Sequence, residues 1–153
     1  MPFNLKKLGK WREWKRYKRQ IPKLVANDGV HIWLDSFKKE GFVTDPFEKW
    51  KDNARSTKNK KIAKGFSKNA KKGKKKLQIL VESGDLKRAV SDSVHKAKWN
   101  KVEWRVKGIP YAEYHNEGTG KDVVRRFMGH SKVLDDKVYK RLKKLDRLFK
   151  GTT

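Results

Sequence analysis

The chain has 153 residues, which suits one domain and leaves too little length for two independent hydrophobic cores. Its 42 Lys and Arg outnumber 17 Asp and Glu, and the net charge of +25 favours an anionic partner: nucleic acid, an acidic protein or an anionic membrane surface. The lack of cysteine excludes disulfides, thiolate zinc sites and cysteine nucleophiles, and the lack of an apolar leader or long apolar run predicts a soluble cytoplasmic protein.

The first predicted element is a basic, aromatic helix over residues 1–21. Residues 1–23 hold nine basic side chains and one acidic one, a net charge of +8. Large apolar side chains recur every three residues and predict a stripe along this helix: Leu5, Leu8, Trp11, Trp14 and Tyr17. Three interpretations of the stripe remain open: packing on this protein or on a neighbouring subunit, contact with nucleic acid, or an interfacial membrane helix.

A second helix is predicted over residues 22–40, because proline is tolerated in the first turn of a helix and Gly41 would end it. Gly29 allows a close approach, and four side chains form the expected buried face: Val25, Ile32, Trp33 and Phe37. Asp45-Pro46 predicts a turn, with three aromatic anchors around it: Phe42, Phe47 and Trp50.

Residues 51–76 carry twelve basic side chains and one acidic one, a net charge of +11. So few large apolar residues cannot offset the entropy of ordering, which predicts a mobile loop in the isolated protein. Its lysines are candidate contacts for DNA or an acidic surface: Lys58, Lys60, Lys61, Lys71, Lys72, Lys74, Lys75 and Lys76.

The second half predicts a small sheet between helices. Ser83 is the expected cap of a short helix that carries Leu86 and Val90. Residues 94–99 and 102–107 predict an antiparallel hairpin with a turn at Asn100-Lys101, and residues 123–129 predict a third strand.

Ser131 is the expected cap of a final amphipathic helix. Its apolar face has helical spacing: Leu134, Val138, Leu142, Leu145 and Phe149. Helices, a small antiparallel sheet and a last helix predict an α+β fold, with one domain over residues 22–150 and a tail at 151–153.

The segment IPYAEYHNEGTG, residues 109–120, contains a candidate metal or catalytic set in Glu113, His115 and Glu117. Two carboxylates and one imidazole are a weak signal, because no second cluster supplies further ligands or a general base. A structural role is favoured, in which Pro110 starts a helical turn, Tyr111 and Ala112 pack inward and Gly118 ends the turn. GTGK at residues 118–121 lacks the other features of a phosphate-binding loop. The sequence predicts no catalytic residue, metal or cofactor.

Three ordered steps carry a resemblance that covers roughly residues 22–150: Ser83-Gly84-Asp85-Leu86, Tyr111-Ala112-Glu113-Tyr114-His115-Asn116-Glu117-Gly118, and Arg125-Arg126-Phe127-Met128-Gly129-His130-Ser131. The succession resembles the bacteriophage virion morphogenesis family, the tail-completion and head–tail joining proteins. Arg126 stands where that family often has proline, and the basic amino-terminal segment extends beyond the family pattern. The residues that carry the resemblance are Ser83, Gly84, Leu86, Tyr111, Ala112, His115, Gly118, Arg126, Phe127, Gly129 and Ser131.

The resemblance implies a non-enzymatic structural protein of the virion neck, made in the host bacterial cytoplasm and assembled as a hexameric or dodecameric ring. Its implied partners are other copies of itself, adjoining neck, connector and tail-tube proteins, and DNA in the channel, with no membrane. In such a ring Trp11, Trp14 and Trp33 are candidate interface anchors, since aromatic residues dominate interface energies. The lysine-rich loop would order on assembly.

Two other classes of function compete with this interpretation. The net charge of +25 favours a basic nucleic-acid-binding protein, such as a packaging or ribosome-associated factor. A metal-dependent nuclease would depend on Glu113, His115 and Glu117 alone.

Overall fold

A computed structural model describes residues 5–52, 79–81, 83–118 and 123–150, with only the backbone described for residues 5–9. This part of the chain confirms the predicted α+β class. Its elements are α1 (Leu5–Lys39), β1 (Gly41–Phe42), β2 (Glu48–Lys49), α2 (Asp85–Ser91), β3 (Val94–Lys98), β4 (Lys101–Trp104), α3 (Ala112–Glu117) and α4 (Lys132–Lys150). The lysines proposed as DNA or acidic-surface contacts, the tail at 151–153 and most of GTGK lie outside the described residues.

One long helix replaces the two that the sequence predicts at the amino terminus. α1 continues through Pro22, so the predicted boundary at residue 22 is wrong. Proline removes one backbone hydrogen bond from a helix. Buried neighbours on both sides of Pro22 compensate, because Ile21 and Val25 pack against Leu145 of α4.

The hydrophobic core lies between the carboxyl-terminal half of α1 and the segments that follow it. The ring of Phe37 lies 5.7 Å from that of Trp50 and 5.6 Å from that of Phe127. Trp33 is only 2% exposed and packs edge to face on Trp104. Its predicted role as an interface anchor is therefore wrong, because its position on the apolar face of α1 places it inside the core.

Two small antiparallel hairpins flank this core. β1 pairs with β2, an arrangement that the sequence did not predict, and Phe47 between them is 46% exposed instead of acting as an anchor. β3 pairs with β4 as predicted, but Lys101 already pairs with Lys98. The turn is thus Trp99-Asn100, one residue earlier than expected, and it places Trp99 at the tip.

Residues 123–127 form no strand, which corrects the prediction of a third one. The backbone N–H of Arg125 donates to the carbonyl of His115 at 2.7 Å. The N–H groups of Phe127 and Met128 donate to the side-chain oxygen of Asn116. These backbone groups are therefore bound by a polar side chain and not by a neighbouring strand.

The last helix packs along α1, and only part of its apolar face is buried. Leu134 and Leu145 are buried, whereas Leu142 is 42% exposed and Phe149 48%. The guanidinium of Arg141 binds the carboxylate of Asp28 on α1 at 2.6 Å in a mostly buried ion pair. Among the described helices, none is both long and apolar enough to cross a membrane.

Candidate functional site: a motif junction and a basic groove

The first motif step forms the start of α2. Gly84 precedes the helix with φ of 88°, a conformation that favours glycine, and Leu86 is buried. The residue at the N-cap position is Gly84, so the predicted cap at Ser83 is wrong in its placement. The hydroxyl of Ser83 still accepts from the backbone N–H of Asp85 at 3.4 Å, and it donates to the carboxylate of Asp85, which also binds Arg88. These hydrogen bonds, that from Ser83 foremost, hold the pKa of Asp85 below its ordinary value.

The second and third motif steps meet and bind each other; we call residues 111–118 and 125–131 together the motif junction. The side-chain oxygen of Asn116 accepts hydrogen bonds from the N–H groups of Phe127 at 3.1 Å and Met128 at 3.0 Å. The indole of Trp50 donates to the carbonyl of Arg126 at 2.7 Å. Sequence reasoning missed the role of Asn116, which occupies a variable position of the motif.

Ser131 joins the motif junction to the segment that follows α1. Its hydroxyl is fully buried and donates to the carbonyl of Val43 at 2.7 Å. The predicted capping is made by its backbone instead, since its carbonyl accepts from Leu134 at 2.9 Å. The guanidinium of Arg126 lies 5.8 Å from the ring of Phe42.

The short helix α3 behaves largely as the structural interpretation predicts. Ala112 is buried, and Gly118 ends the helix with φ of 72°. Tyr111 is 43% exposed, so its predicted inward packing is wrong. Its ring instead contacts that of His115 edge to face, with the two centroids 6.0 Å apart.

The candidate metal set does not come together. Glu113 and Glu117 are exposed on α3, whereas His115 is partly buried under Tyr111. Across the described ranges, no group of three or more His, Cys, Asp or Glu side chains is close enough to hold a metal ion.

A second surface is formed by the exposed side of α1. Five cations with the spacing of one helical face make up what we call the basic stripe: Arg12, Lys15, Arg16, Arg19 and Lys23. They extend over about 17 Å of helix, a linear charge density close to that of one DNA strand, which has one phosphate per roughly 3.4 Å. Within the described part of the chain, none of the five forms an ion pair with a carboxylate.

Beside the basic stripe, the β3–β4 hairpin leans on α1 and leaves a groove of about 410 Å³. Lys18 stands in it between two indoles, with its ammonium 4.9 Å from the ring centre of Trp14 and 5.0 Å from that of Trp99. Trp99 is 52% exposed. This tip groove is lined by Trp14, Lys15, Lys18, Arg19, Pro22, Ala97 and Trp99.

The predicted apolar stripe on α1 is divided by the helix geometry. A three-residue spacing drifts around a helix of 3.6 residues per turn, so its members cannot share one face. Trp14 packs on Phe149 and Tyr17 packs in the same cluster with α4, as the packing interpretation expected. Trp11 is 43% exposed, with the ammonium of Lys15 3.7 Å from its ring centre.

Trp104 fixes the hairpin against α1. Its indole donates to the carbonyl of Ala26 at 3.0 Å. A Cβ atom at Gly29 would lie 2.8 Å from the Trp104 ring, so only glycine permits this approach. On the same strand, the hydrogen bond from Lys101 lowers the pKa of Glu103. Apart from the alternation that predicts the hairpin, no pattern in the sequence distinguishes Trp99 or Trp104.

Comparison of the chain with models of known protein families, with curated proteins and with solved structures finds no significant match.

Proposed function

We propose that the chain is a non-enzymatic structural protein of a tailed-phage virion, a ring subunit at the junction of head and tail. The observation that supports this proposal best is that polar side chains within the three motif steps hold parts of the fold together. Asn116 binds the backbone of the third step, and Ser131 binds Val43 after α1. The polar groups of these steps thus hold segments together, as the resemblance implies for a structural protein.

Exposed apolar side chains supply surface for contact between subunits. Several lie outside the core at 40% exposure or more: Trp11, Val124, Tyr139, Leu142 and Phe149. Copies that each carry +25 repel one another. A ring of such subunits therefore requires acidic neighbours or DNA close to its basic faces.

Loss of the protein in its parent phage tests the proposal. A stop codon early in the gene should yield DNA-filled heads beside separate, complete or overlong tails when lysates are viewed by electron microscopy. The wild-type gene supplied from a plasmid should restore joined virions, which controls for effects on neighbouring genes. Intact virions without the protein, or heads that fail to fill with DNA, would contradict a joining role.

The basic stripe favours a second candidate, a basic nucleic-acid-binding protein. Its five exposed cations would contact phosphates without reading sequence. Affinity for duplex DNA should then fall steeply as salt rises, as measured by fluorescence anisotropy. Absence of binding at moderate salt would eliminate this candidate and leave the neck proposal intact.

A further inference from the structure

The tip groove combines two kinds of group that lie apart on most surfaces. Lys15, Lys18 and Arg19 line it from α1, and no carboxylate lies among its described lining residues. Trp99 projects from the hairpin tip with half of its surface exposed. An exposed indole beside several cations, held by two different elements, restricts the class of ligand more than a general excess of lysine does.

The positive charge of the groove alone would suit any polyanion. The exposed indole of Trp99 favours a polyanion that also carries a flat ring. An acidic peptide would use the cations and leave the face of Trp99 without a matching group. A nucleotide carries both a phosphate and a flat base, and base–aromatic stacking tolerates any sequence. In paired DNA the bases are stacked on one another, so only an unpaired stretch offers a base to the indole.

We propose that the tip groove binds an unpaired stretch of nucleic acid, with Lys15, Lys18 and Arg19 on its phosphates and Trp99 stacked on a base. The basic stripe continues from the groove along α1 through Arg12, Arg16 and Lys23 and provides a path for the strand. This site does not depend on the neck proposal, and it assigns residues and a ligand class to the nucleic-acid alternative.

The groove is held open by parts of the molecule that do not contact the ligand. Trp104 ties the hairpin to Ala26, and Trp14 is held from below by Phe149 at 5.8 Å. Lys18 already lies close to both indole rings. Little conformational freedom remains to be lost in these groups on binding, which favours affinity.

The test uses the full chain and a fluorescent oligo(dT) of about 12 nucleotides, within the range of lengths that one binding domain covers. Trp99→Ala should weaken binding roughly ten-fold, the effect of losing one stacked base. Trp99→Phe should restore most of the affinity, because it keeps an aromatic face.

The matched control is Tyr139→Ala on α4. Tyr139 is also exposed, at 57%, and also has a lysine over its ring, with Lys143 at 4.6 Å. It does not line the groove, so its loss should leave affinity within about two-fold, like other surface substitutions. Equal weakening by Trp99→Ala and Tyr139→Ala would overturn the proposal.

The proposed contacts between the groove's cations and the phosphates are tested by the salt dependence of the affinity. Lys15→Ala with Arg19→Ala should reduce the slope of log affinity against log salt by about 1.4, the value for two lost contacts with a single strand. Lys140→Ala with Lys143→Ala removes the same charge from α4 and should change the slope less. Equal changes in the two double variants would overturn the assignment of phosphates to the groove.

A strand of the same length that lacks bases separates stacking from charge. The wild type should bind this strand more weakly than it binds oligo(dT). The Trp99→Ala variant should bind the two strands equally. Equal affinity of the wild type for both strands, or tighter binding to polyglutamate, would overturn the proposal. Neither result would affect the phage experiment, which tests the neck role separately.

Discussion

The motif junction and the tip groove use the same residue types in opposite ways. In the motif junction and its surroundings, Trp50 is 4% exposed and its indole N–H is bound inside the protein. In the tip groove, Trp99 is 52% exposed and stands beside cations with no carboxylate partner among the described lining residues. The residues of the motif junction maintain the fold, whereas the surface that we propose as a nucleic-acid site lies outside the motif steps.

The largest expected effect contrasts a core ring with an exposed one. Phe127→Ala should lower the free energy of unfolding by about 3–5 kcal/mol, because it removes a buried ring from the aromatic cluster. Trp99→Ala should change it by less than about 0.5 kcal/mol. Urea unfolding of both variants measures the difference. Similar losses of unfolding free energy would contradict the structural role of the one region and the exposed position of the other.

Asn116→Ala tests whether a polar side chain of the motif junction contributes to the stability of the fold. It leaves the N–H groups of Phe127 and Met128 without an acceptor, which should cost about 2–3 kcal/mol of stability. Asn116→Asp retains an acceptor oxygen and should cost less. Thermal unfolding followed by circular dichroism compares the two, with Glu117→Ala as an exposed control on the same helix; equal losses for all three would contradict the assigned role.

The two motif serines should differ in their contribution to stability. Ser131→Ala removes a buried hydrogen bond to Val43 and should cost about 1–2 kcal/mol. Ser83 is exposed, so Ser83→Ala should cost less than about 0.5 kcal/mol. Chemical denaturation of both variants provides the measurement, and a larger loss for Ser83→Ala would contradict the structure.

The smallest expected effect concerns the ion pair of Lys101 and Glu103, which lies on β4 next to the hairpin turn. Glu103 has a lowered pKa, chiefly through the hydrogen bond from Lys101, so it stays ionised below the pH at which a free glutamate is protonated. Its contribution to stability is present above that range and is lost as the pH falls through the lowered pKa. Lys101→Ala should raise the pKa of Glu103 toward its ordinary value, as followed by NMR titration. An unchanged titration would show that Lys101 is not the cause.

Local patterns in the sequence predicted much of the fold. The alternation around Trp104 predicted the β3–β4 hairpin, and the spacing of Val25, Ile32 and Phe37 predicted the buried face of α1. Pro22 misled the prediction, because tertiary packing on α4 outweighs its local preference to begin a helix.

The errors arise where long-range contacts decide the structure. The absence of a strand after α3 depends on Asn116, whose acceptor role appears only once residues 127 and 128 are placed beside it. Exposure of Trp99 and burial of Trp33 likewise follow from packing between α1 and the hairpin. The tip groove is formed by two elements more than 70 residues apart in sequence, which no local pattern signals.

Pro22 has a mechanical consequence for the surface of α1. Proline has no N–H, so the carbonyl one turn earlier, that of Lys18, lacks its usual helical partner and the rod is more compliant there. The tilt of the outer turns therefore depends on side-chain clamps, where Trp14 meets Phe149 and Tyr17 lies under Lys144. The carboxyl-terminal part of α4 thus helps to fix the direction of the helix segment that carries the basic stripe.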